Sequence, residues 1–467
     1  MLPTDQFPPI SAGTFRDPQG RLFDDGDRIL REIFPGHTEQ VLQWIRSPLA
    51  QSWMQSGRLI STEVAPLEAD RPLLLEHERI SFPTYPWEWT PGQWLAAGNL
   101  TLDLCDEALD ADYILKDATP LNILFSDARP VFVDVLSFER RDPNNPLWIA
   151  YAQFARTFLL PLAANAYLGW PLSASQQRRD GYEPADLSPW LNFTQRWLSP
   201  LRSIVTLPLL LQGRHVDRQT APGTRKRDVS EDIAKAIVRR TVRSAKTKLR
   251  ALAPPQRSSR WSDYTQTASH YESEAQLAKQ EFVRRVLSEI KPAHVLDVGA
   301  NTGVFSRIAA ASGAHVVAWD SDVEAIDRNW QQSFEDNLAI LPLVADFARP
   351  TPAVGWCNSE CASLLDRAQG RFDCVLMLGI LHHLLMSDQI PLSAVLNQLA
   401  EFTTHWAVLE WIPSEDSQFI SLCRGRELLY SHLNESYFVQ ILAERFSIRS
   451  REPLSNGRTL WFVEKKA

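Results

Sequence analysis

Residues in the second half of the chain have types and spacings suited to binding a nucleoside. The segment VLDVGANTG, residues 295–303, ends a short apolar run and carries two glycines that let a ligand approach the backbone. Asp320 follows 17 residues after Gly303, at the end of the apolar run HVVAW. A carboxylate at such a strand end can accept hydrogen bonds from both ribose hydroxyls. These residues predict a site for an adenosine-containing cofactor.

A second group of side chains is suited to proton transfer. His382 and His383 directly follow the apolar run FDCVLML with its Gly-Ile-Leu extension, and Glu410 lies near the end of the run WAVLEW. A histidine titrates near neutral pH and can act as a general base. Structural alternatives remain open for all three residues, because the histidines could cap a helix or bond within the core. Glu410 could be a structural acid at a sheet edge.

Residues 261–467 alternate between short apolar runs and helical patterns, which is typical of an α/β fold with a parallel sheet. The last two runs have no helix between them and predict an antiparallel hairpin at one edge. The predicted strands are 294–298, 315–319, 339–345, 372–378, 406–411, 446–452 and 459–466. The predicted helices are 272–290, one from 303, one from 322, 391–402, 417–430 and 435–446.

These seven strands and the glycine segment resemble a Rossmann-like class I S-adenosylmethionine-dependent methyltransferase domain. The segment matches the form D-x-G-x-N-x-G of the cofactor loop through Asp297, Gly299, Asn301 and Gly303. The resemblance implies that S-adenosyl-L-methionine is the cofactor.

The same resemblance implies roles for residues at the other strand ends. It implies that Asp320 binds the ribose, that Asp346 accepts a hydrogen bond from the adenine amino group, and that Phe347 packs near the adenine ring. It further implies that the segment containing Leu378 faces the donor methyl group and the acceptor, which makes His382, His383 and Glu410 the candidates for catalysis.

The expected methyl acceptor is a small or medium-sized metabolite. A net charge of -8 and an isoelectric point near 5.8 argue against a dedicated nucleic-acid-binding protein. The Asn-Pro-Pro-Tyr type of motif used for base amino-methylation is also absent after the fourth strand, where residues 379–382 read GILH. A non-catalytic regulator that binds S-adenosylmethionine is the alternative.

The N-terminal half, residues 1–212, contains a pattern that resembles a protein-kinase catalytic loop and predicts a kinase-like α+β domain. Asp117 and Asn122 have the spacing D-x-x-x-x-N, and Asp134 lies where a metal-binding aspartate would follow. Lys116 is the first lysine of the chain, so the usual upstream phosphate-binding lysine is absent, and Arg28 or Arg31 could replace it only imperfectly. We therefore favour a degenerate domain that binds the acceptor or a protein partner. A working phosphotransferase, which would make the protein bifunctional, and an unrelated fold are the alternatives.

A resemblance to bacterial nodulation-protein-like methyltransferases spans nearly the whole chain. It is carried by the segments LKDATPLNILF, EWIPSEDSQ and RTLWFVEKK.

Residues 213–260, between the two predicted domains, are rich in Arg and Lys. They predict a solvated basic linker helix that begins near Ser230, where a serine and two acids suit a helix N-terminus. A phosphate-binding patch is the alternative.

Composition indicates an ordinary globular chain, with 44% hydrophobic and 22% charged residues. The first residues lack the features of a signal peptide, and the five cysteines form no disulfide framework, so we expect a cytoplasmic protein. The sequence signals no metal site. The most apolar stretch, residues 146–172, contains Gln, Arg, Pro and Asn, and we expect a buried helix pair there without membrane insertion.

Overall fold

The computed structural model describes residues 16–26, 28–65, 72–215, 229–254, 270–423 and 425–466. The predictions for the first residues of the chain, for most of the 213–229 stretch and for 261–269 lie outside these ranges. The chain divides into two compact units. The first contains residues up to 255 except 127–129, together with 354–361, and the second contains the remainder.

The first unit contains a four-stranded antiparallel sheet in the order β1-β2-β4-β3, and two strand pairs, β5-β8 and β6-β7. The strands are β1 Gly20–Asp24, β2 Ile29–Ile33, β3 Thr62–Val64, β4 Leu73–His77, β5 Tyr113–Leu115, β6 Ile123–Ser126, β7 Arg129–Phe132 and β8 Phe138–Arg140. Alternate residues of β4 are buried, as expected for a strand with one face on the core.

The first unit also contains α-helices. They are α1 Thr38–Ile45, α2 Pro48–Gln55, α3 Pro91–Ala108, α4 Tyr151–Phe154, α5 Leu160–Leu168, α6 Pro184–Leu187, α7 Phe193–Trp197, α8 Leu207–His215 and α9 Glu231–Ala251. A π-helical turn at Ala155–Leu159 joins α4 to α5. Residues 151–168 therefore form one continuous helical segment in place of the predicted helix pair. Pro161 directly follows the π-helical turn, where the regular α-helical hydrogen bonding is already interrupted.

Helix α9 belongs to the core of the first unit, so the prediction of a solvated linker helix was wrong. Its buried residues recur at helical spacing and face α3: Ala234, Val238, Val242, Ala245 and Leu249. Its basic residues pair with acids on or just after α3, with Lys246 Nζ 2.7 Å from Asp103 Oδ1 and Lys235 Nζ 3.1 Å from Asp112 Oδ1. The arginines and lysines thus flank a stripe of apolar residues on α9. The overall basic composition of the segment does not show this stripe.

The second unit is built on a seven-stranded sheet in the order β11-β10-β9-β12-β13-β15-β14. The strands are β9 His294–Val298, β10 His315–Asp320, β11 Ile340–Val344, β12 Phe372–Met377, β13 Thr403–Trp411, β14 Phe446–Pro453 and β15 Thr459–Lys465. The first five are parallel, and β15 runs antiparallel to both β13 and β14. The predicted sheet and its closing hairpin are confirmed.

The second unit contains helices at all the predicted places and two short helices, Leu364–Ala368 and Leu381–Met386, that were not predicted. The helices are α10 His270–Ile290, α11 Val304–Ala311, α12 Val323–Glu335, α13 Leu364–Ala368, α14 Leu381–Met386, α15 Leu392–Phe402, α16 Ser417–Cys423 and α17 Glu435–Arg445. The predicted helix 417–430 ends early, at Cys423, and a separate 3₁₀ turn covers Glu427–Tyr430. Gly425 has a φ of +82°, a left-handed conformation that interrupts an α-helix.

Within the described ranges, none of the helices combines the length and apolar character needed to cross a bilayer.

Candidate active site

The glycine segment turns sharply between β9 and α11. Gly299 and Gly303 have φ values of +76° and +80°, and Asn301 between them has a φ of +50°. The backbone N–H groups of Gly299 and Ala300 donate to the carbonyl oxygen of Trp319, at 2.8 and 2.9 Å. The turn is therefore held against the end of β10.

Both glycines also sit where a side chain would collide. A Cβ atom at Gly303 would lie 2.3 Å from the side-chain oxygen of Asn329, which is fully buried on α12. A Cβ at Gly299 would lie 3.1 Å from Ile380. Close packing and the left-handed backbone thus both require glycine at these positions.

Asp297 anchors the loop from inside. It is buried, and its carboxylate accepts a hydrogen bond from the Ser306 hydroxyl on α11 at 2.6 Å. Burial raises the pKa of Asp297 to about 6. The structure therefore places Asp297 under the loop, between β9 and α11.

Asp320 lies at the end of β10 and bonds the loop directly. One carboxylate oxygen accepts from the backbone N–H of Asn301 and the other from that of Asp322, each at 2.9 Å. Burial raises the pKa of Asp320, and these backbone donors oppose that effect. The backbone N–H of Ser321 also bonds this carboxylate, and a carboxylate has about four acceptor sites, so Asp320 can still accept a further donor. This is compatible with the predicted ribose contact.

Asp346 and Phe347 follow β11, as predicted, and both contact other residues of the protein. Asp346 accepts from the backbone N–H of Ala348 at 2.8 Å and pairs with Arg349 at 3.0 Å. The Phe347 ring meets Phe402 edge-on at 6.0 Å. Their contacts with an adenine ring stay predictions.

A cavity of about 710 Å³ opens beside the glycine loop. Five of the predicted site residues line it: Gly299, Asn301, Leu378, His383 and Glu410. Its lining does not include the other six: Asp297, Gly303, Asp320, Asp346, Phe347 and His382. Three further segments contribute to its wall, namely the first half of α10, the start of α16 with the residues before it, and the turn between β14 and β15.

The two predicted histidines have different surroundings. His382 is 2% exposed, and its Nε2 lies 3.3 Å from the side-chain oxygen of Gln418. Burial lowers the pKa of His382 to about 3, with the neighbouring His383 and Arg458 adding to the effect. His383 faces the cavity. Of the two, His383 is therefore the one placed to exchange a proton with a bound molecule.

Glu410 belongs to a group of four charged side chains that sequence reasoning largely missed. Lys279 on α10 donates to Glu410 Oε2, and Arg458 lies 3.5 Å from Glu410 Oε1. Arg458 also donates to Asp416 at 2.9 Å. Although burial opposes ionisation, Lys279 and Arg458 lower the pKa of Glu410. Glu410 is thus a fixed anion at the cavity wall and a poor proton acceptor.

Of these four residues, Lys279 could have been recognised from the sequence. Lys279 lies on the apolar face of α10, four residues after Ala275 and three before Phe282, both of which are buried. A lysine in that position needs a partner. Arg458, in contrast, precedes β15 in a turn, and nothing in its local sequence indicates which acids it meets.

The residues present fit S-adenosylmethionine. The glycine loop lines the cavity through Gly299, Ala300, Asn301 and Thr302, and its backbone is left-handed at Gly299 and Asn301. The Asp320 carboxylate bonds the backbone N–H of Asn301 in this loop. Residues 270–429 also match the methyltransferase-domain family. With the observed strand order, these findings make the second unit a class I S-adenosylmethionine-dependent methyltransferase domain.

The chain is similar over nearly its whole length to a nodulation protein. It is 28% identical over 470 residues to nodulation protein NoeA of Rhizobium meliloti (strain 1021), covering 97% of this chain and 96% of that protein. Among solved structures, the N-methyltransferase NodS of Bradyrhizobium japonicum WM9 is 15% identical, with coverage of 41% and 97% and a TM-score of 0.31. Magnesium protoporphyrin IX methyltransferase of Synechocystis PCC 6803 is 18% identical, with coverage of 43% and 89% and a TM-score of 0.32.

In the first unit, the kinase-like residues form a connected polar group. The Asn122 side chain donates to the Asp117 carbonyl at 3.2 Å and to Ser137 Oγ at 3.0 Å. Ser137 in turn donates to Asp134. Arg31, on β2, pairs with Asp134 at 2.7 Å. Burial opposes ionisation of Asp134, but Arg31 and Ser137 hold its pKa below the usual value.

Proposed function

We propose that this protein transfers a methyl group from S-adenosylmethionine to a small or medium-sized polar metabolite. The observation that carries the proposal is the cavity of about 710 Å³, which joins the glycine loop to His383 and Glu410. Small-molecule sites commonly have volumes of roughly 300–1,000 Å³. The cofactor supplies a methyl group on a sulfonium centre, and the protein's task is to align the acceptor and remove its proton.

The charges on the acceptor side support a small molecule over a nucleic acid. Three acids line this wall: Glu410, Glu415 and Asp416. The two cations beside them, Lys279 and Arg458, are engaged by Glu410 and Asp416. A phosphate backbone would therefore meet carboxylates with little free positive charge to attract it. Hydroxyl or amine donors on an acceptor would be accommodated instead.

His383 is the proposed proton acceptor. It faces the cavity just after β12, where the chain leaves the sheet beside Leu378 and Gly379. Glu410 and Lys279 are proposed as positioning residues, because their ion pair fixes the wall that the acceptor would meet. A general base in this position contributes typically about 10²–10⁴-fold to turnover.

For the first unit we propose a binding role. Its kinase-like aspartate is occupied by Arg31, and the chain has no lysine before Lys116. We therefore favour a domain that holds the acceptor or a protein partner over an active phosphotransferase. The absence of a disulfide framework in the sequence supports a cytoplasmic location.

The test is a labelled-methyl transfer assay. Purified protein and methyl-labelled S-adenosylmethionine are incubated with fractionated cell extract, and parallel reactions contain DNA or RNA. We expect label in a low-molecular-weight fraction and none in nucleic acid. His383→Asn should lower the transfer rate by about 10²-fold or more and leave the affinity for S-adenosylhomocysteine unchanged.

His382→Gln is the matched control for that variant. It changes the adjacent imidazole, which is buried away from the cavity, and should retain most of the activity. Methylation of bulk nucleic acid would contradict the proposed acceptor class. Equal activity of His383→Asn and the unmodified protein would contradict the role of His383 but leave the acceptor class standing.

A further inference from the structure

A segment of the first unit exposes an unusual number of large apolar side chains. It spans residues 188–211 and contains α7, a π-helical turn and part of α8. The side chains that are more than two-fifths exposed are Trp190 at 68%, Phe193 at 79%, Trp197 at 48%, Leu198 at 51%, Leu207 at 41%, Leu210 at 58% and Leu211 at 48%. We call these seven residues the aromatic-leucine surface.

Hydrogen bonds hold the parts of this surface next to one another. The Arg196 guanidinium donates to the carbonyl oxygens of Leu191 and Ser188, at 3.1 and 2.7 Å. The Thr206 hydroxyl donates to the Arg196 carbonyl. These bonds bring the chain at Trp190, Trp197 and Leu207 together, because each lies one or two residues from a bonded position. The exposed rings are thus presented by a folded framework.

The charge of the segment indicates what the surface contacts. Residues 188–212 contain Arg196 and Arg202 and no Asp or Glu. Arg202 is exposed. Tryptophan, phenylalanine and leucine combined with arginine are typical of protein segments that lie in the interface of a membrane, where the rings enter the acyl boundary and the cations meet lipid phosphates. A segment free of acids does not repel an anionic headgroup.

We propose that the aromatic-leucine surface binds reversibly to the surface of a membrane that contains anionic lipid. No spanning helix is required, because the apolar side chains are already exposed and need only enter the headgroup region. Binding of this kind would place the methyltransferase domain near acceptors held at a membrane. The inference is independent of the proposed acceptor and of the role of His383.

The test is co-sedimentation of the full-length protein with vesicles. One preparation is phosphatidylcholine alone and the other also contains phosphatidylglycerol. We expect binding to the mixed vesicles that exceeds binding to neutral vesicles and weakens with added salt. The triple variant Trp190→Ser, Phe193→Ser, Trp197→Ser should lower the bound-to-free ratio by about tenfold or more, because the apolar contact is lost. Arg202→Glu should lower it selectively for the anionic vesicles.

Leu428→Ser with Leu429→Ser is the matched control, since these leucines of the second unit are also exposed, at 92% and 61%. The control should bind vesicles like the unmodified protein. An unchanged far-ultraviolet circular dichroism spectrum and an unchanged urea-unfolding curve would show that each variant is folded. The proposal is overturned if the unmodified protein sediments with neither vesicle, or if the triple variant binds as well as the control. It is also overturned if size-exclusion chromatography shows a dimer that the triple variant abolishes without any vesicle binding, because a second copy would then be the occupant.

Discussion

At the scale of single residues, side chains of the same type have different roles because their surroundings differ. Asp297 and Asp320 both end strands near the glycine loop, but Asp297 is sealed beneath α11 while Asp320 bonds the backbone of the loop itself. His382 is buried and His383 faces the cavity, although the two are adjacent in sequence. The residue type therefore indicates which chemistry a side chain could perform. Its burial decides whether that side chain can reach a bound molecule.

Asp320 should be the strongest single contributor to cofactor affinity among the acids. Asp320→Ala removes a charged acceptor and also releases the backbone N–H of Asn301. We expect a loss of about 1.5–3 kcal/mol in binding S-adenosylhomocysteine, measured by calorimetry. Asp320→Asn, which keeps one acceptor oxygen, should lose less.

Asp322→Ala is the control for this prediction. Its side chain caps α12 through the backbone N–H of Ala325. Its loss should lower stability by about 1 kcal/mol without a comparable change in affinity. Equal affinity of Asp320→Ala and the unmodified protein would refute the ribose assignment.

The buried imidazole of His382 should make stability depend on pH. Its pKa is about 3 in the folded protein and about 6.5 in an unfolded chain. Between these values the unfolded state binds a proton that the native state does not, so the contribution is complete above about pH 6.5 and is lost as the pH falls. The loss is about 1.4 kcal/mol for each pH unit.

His382→Gln isolates this effect, because glutamine does not titrate. Urea unfolding at about pH 6.5 and 5.5 should show that the unmodified protein loses about 1 kcal/mol more than the variant over this interval. The raised pKa of Asp297 acts in the opposite direction, but it does so equally in both proteins. Identical pH dependence of the two proteins would show that folding does not lower the pKa of His382.

At the scale of elements, the contact between α3 and α9 shows how two helices share a core. Gly98 lies in the middle of α3, where glycine costs about 1 kcal/mol relative to alanine. A Cβ there would lie 2.9 Å from a methyl group of Leu249 on α9 and 3.3 Å from the Phe158 ring. The glycine thus permits the close approach of α9.

Gly98→Ala should therefore destabilise the protein by about 1 kcal/mol, since overpacking outweighs the better helix propensity. In a Leu249→Ala background, the same change should be close to neutral, because only the Phe158 ring at 3.3 Å then remains close to the new Cβ and the better helix propensity offsets that contact. Urea unfolding of the four proteins in this double-mutant cycle measures the coupling. Additive effects would mean that the two residues do not touch.

At the scale of the whole molecule, the chain consists of two units that each have their own core and their own polar cluster. The second unit contains the cofactor loop and the cavity. The first contains the Arg31–Asp134 pair and the aromatic-leucine surface. Changes in the polar cluster of one unit should therefore leave the binding chemistry of the other intact.

Asp134→Asn tests this separation. It leaves Arg31, whose side chain is 10% exposed, without its closest acid and should lower the stability of the first unit by about 1–3 kcal/mol. Calorimetry should show unchanged affinity for S-adenosylhomocysteine. Asp25→Asn, which breaks a more exposed pair with Arg28, should cost less than about 1 kcal/mol.

A thermal-shift titration with ATP and magnesium completes the test. We expect no saturable shift, because Asp134 is engaged by Arg31 rather than free for a metal ion. Saturable ATP binding at micromolar concentration, with phosphate transfer abolished by Asp134→Asn, would instead identify a working kinase.

The sequence alone was sufficient to predict the α/β fold of the second unit, its closing antiparallel hairpin and, through the family resemblance, its cofactor. The period of apolar runs is local, and the residues VLDVGANTG and Asp320 sit at strand ends whose position follows from that period. It was also sufficient to select Gly299, Asn301, His383 and Glu410 as candidates that would share one site. Parallel strands place their carboxyl ends at the same edge of a sheet, so this grouping needs no side-chain detail.

Only the tertiary structure decided which candidates face the cavity and which partners they have. The difference between His382 and His383 depends on the direction in which α14 packs, and the Lys279–Glu410–Arg458 group joins positions up to 179 residues apart. The prediction that α9 is a solvated linker helix failed for the same reason. The apolar residues of α9 are buried only because α3 packs against them. Local patterns encode strands, turns and helices, whereas burial and ion pairing arise from contacts between segments that are distant in the chain.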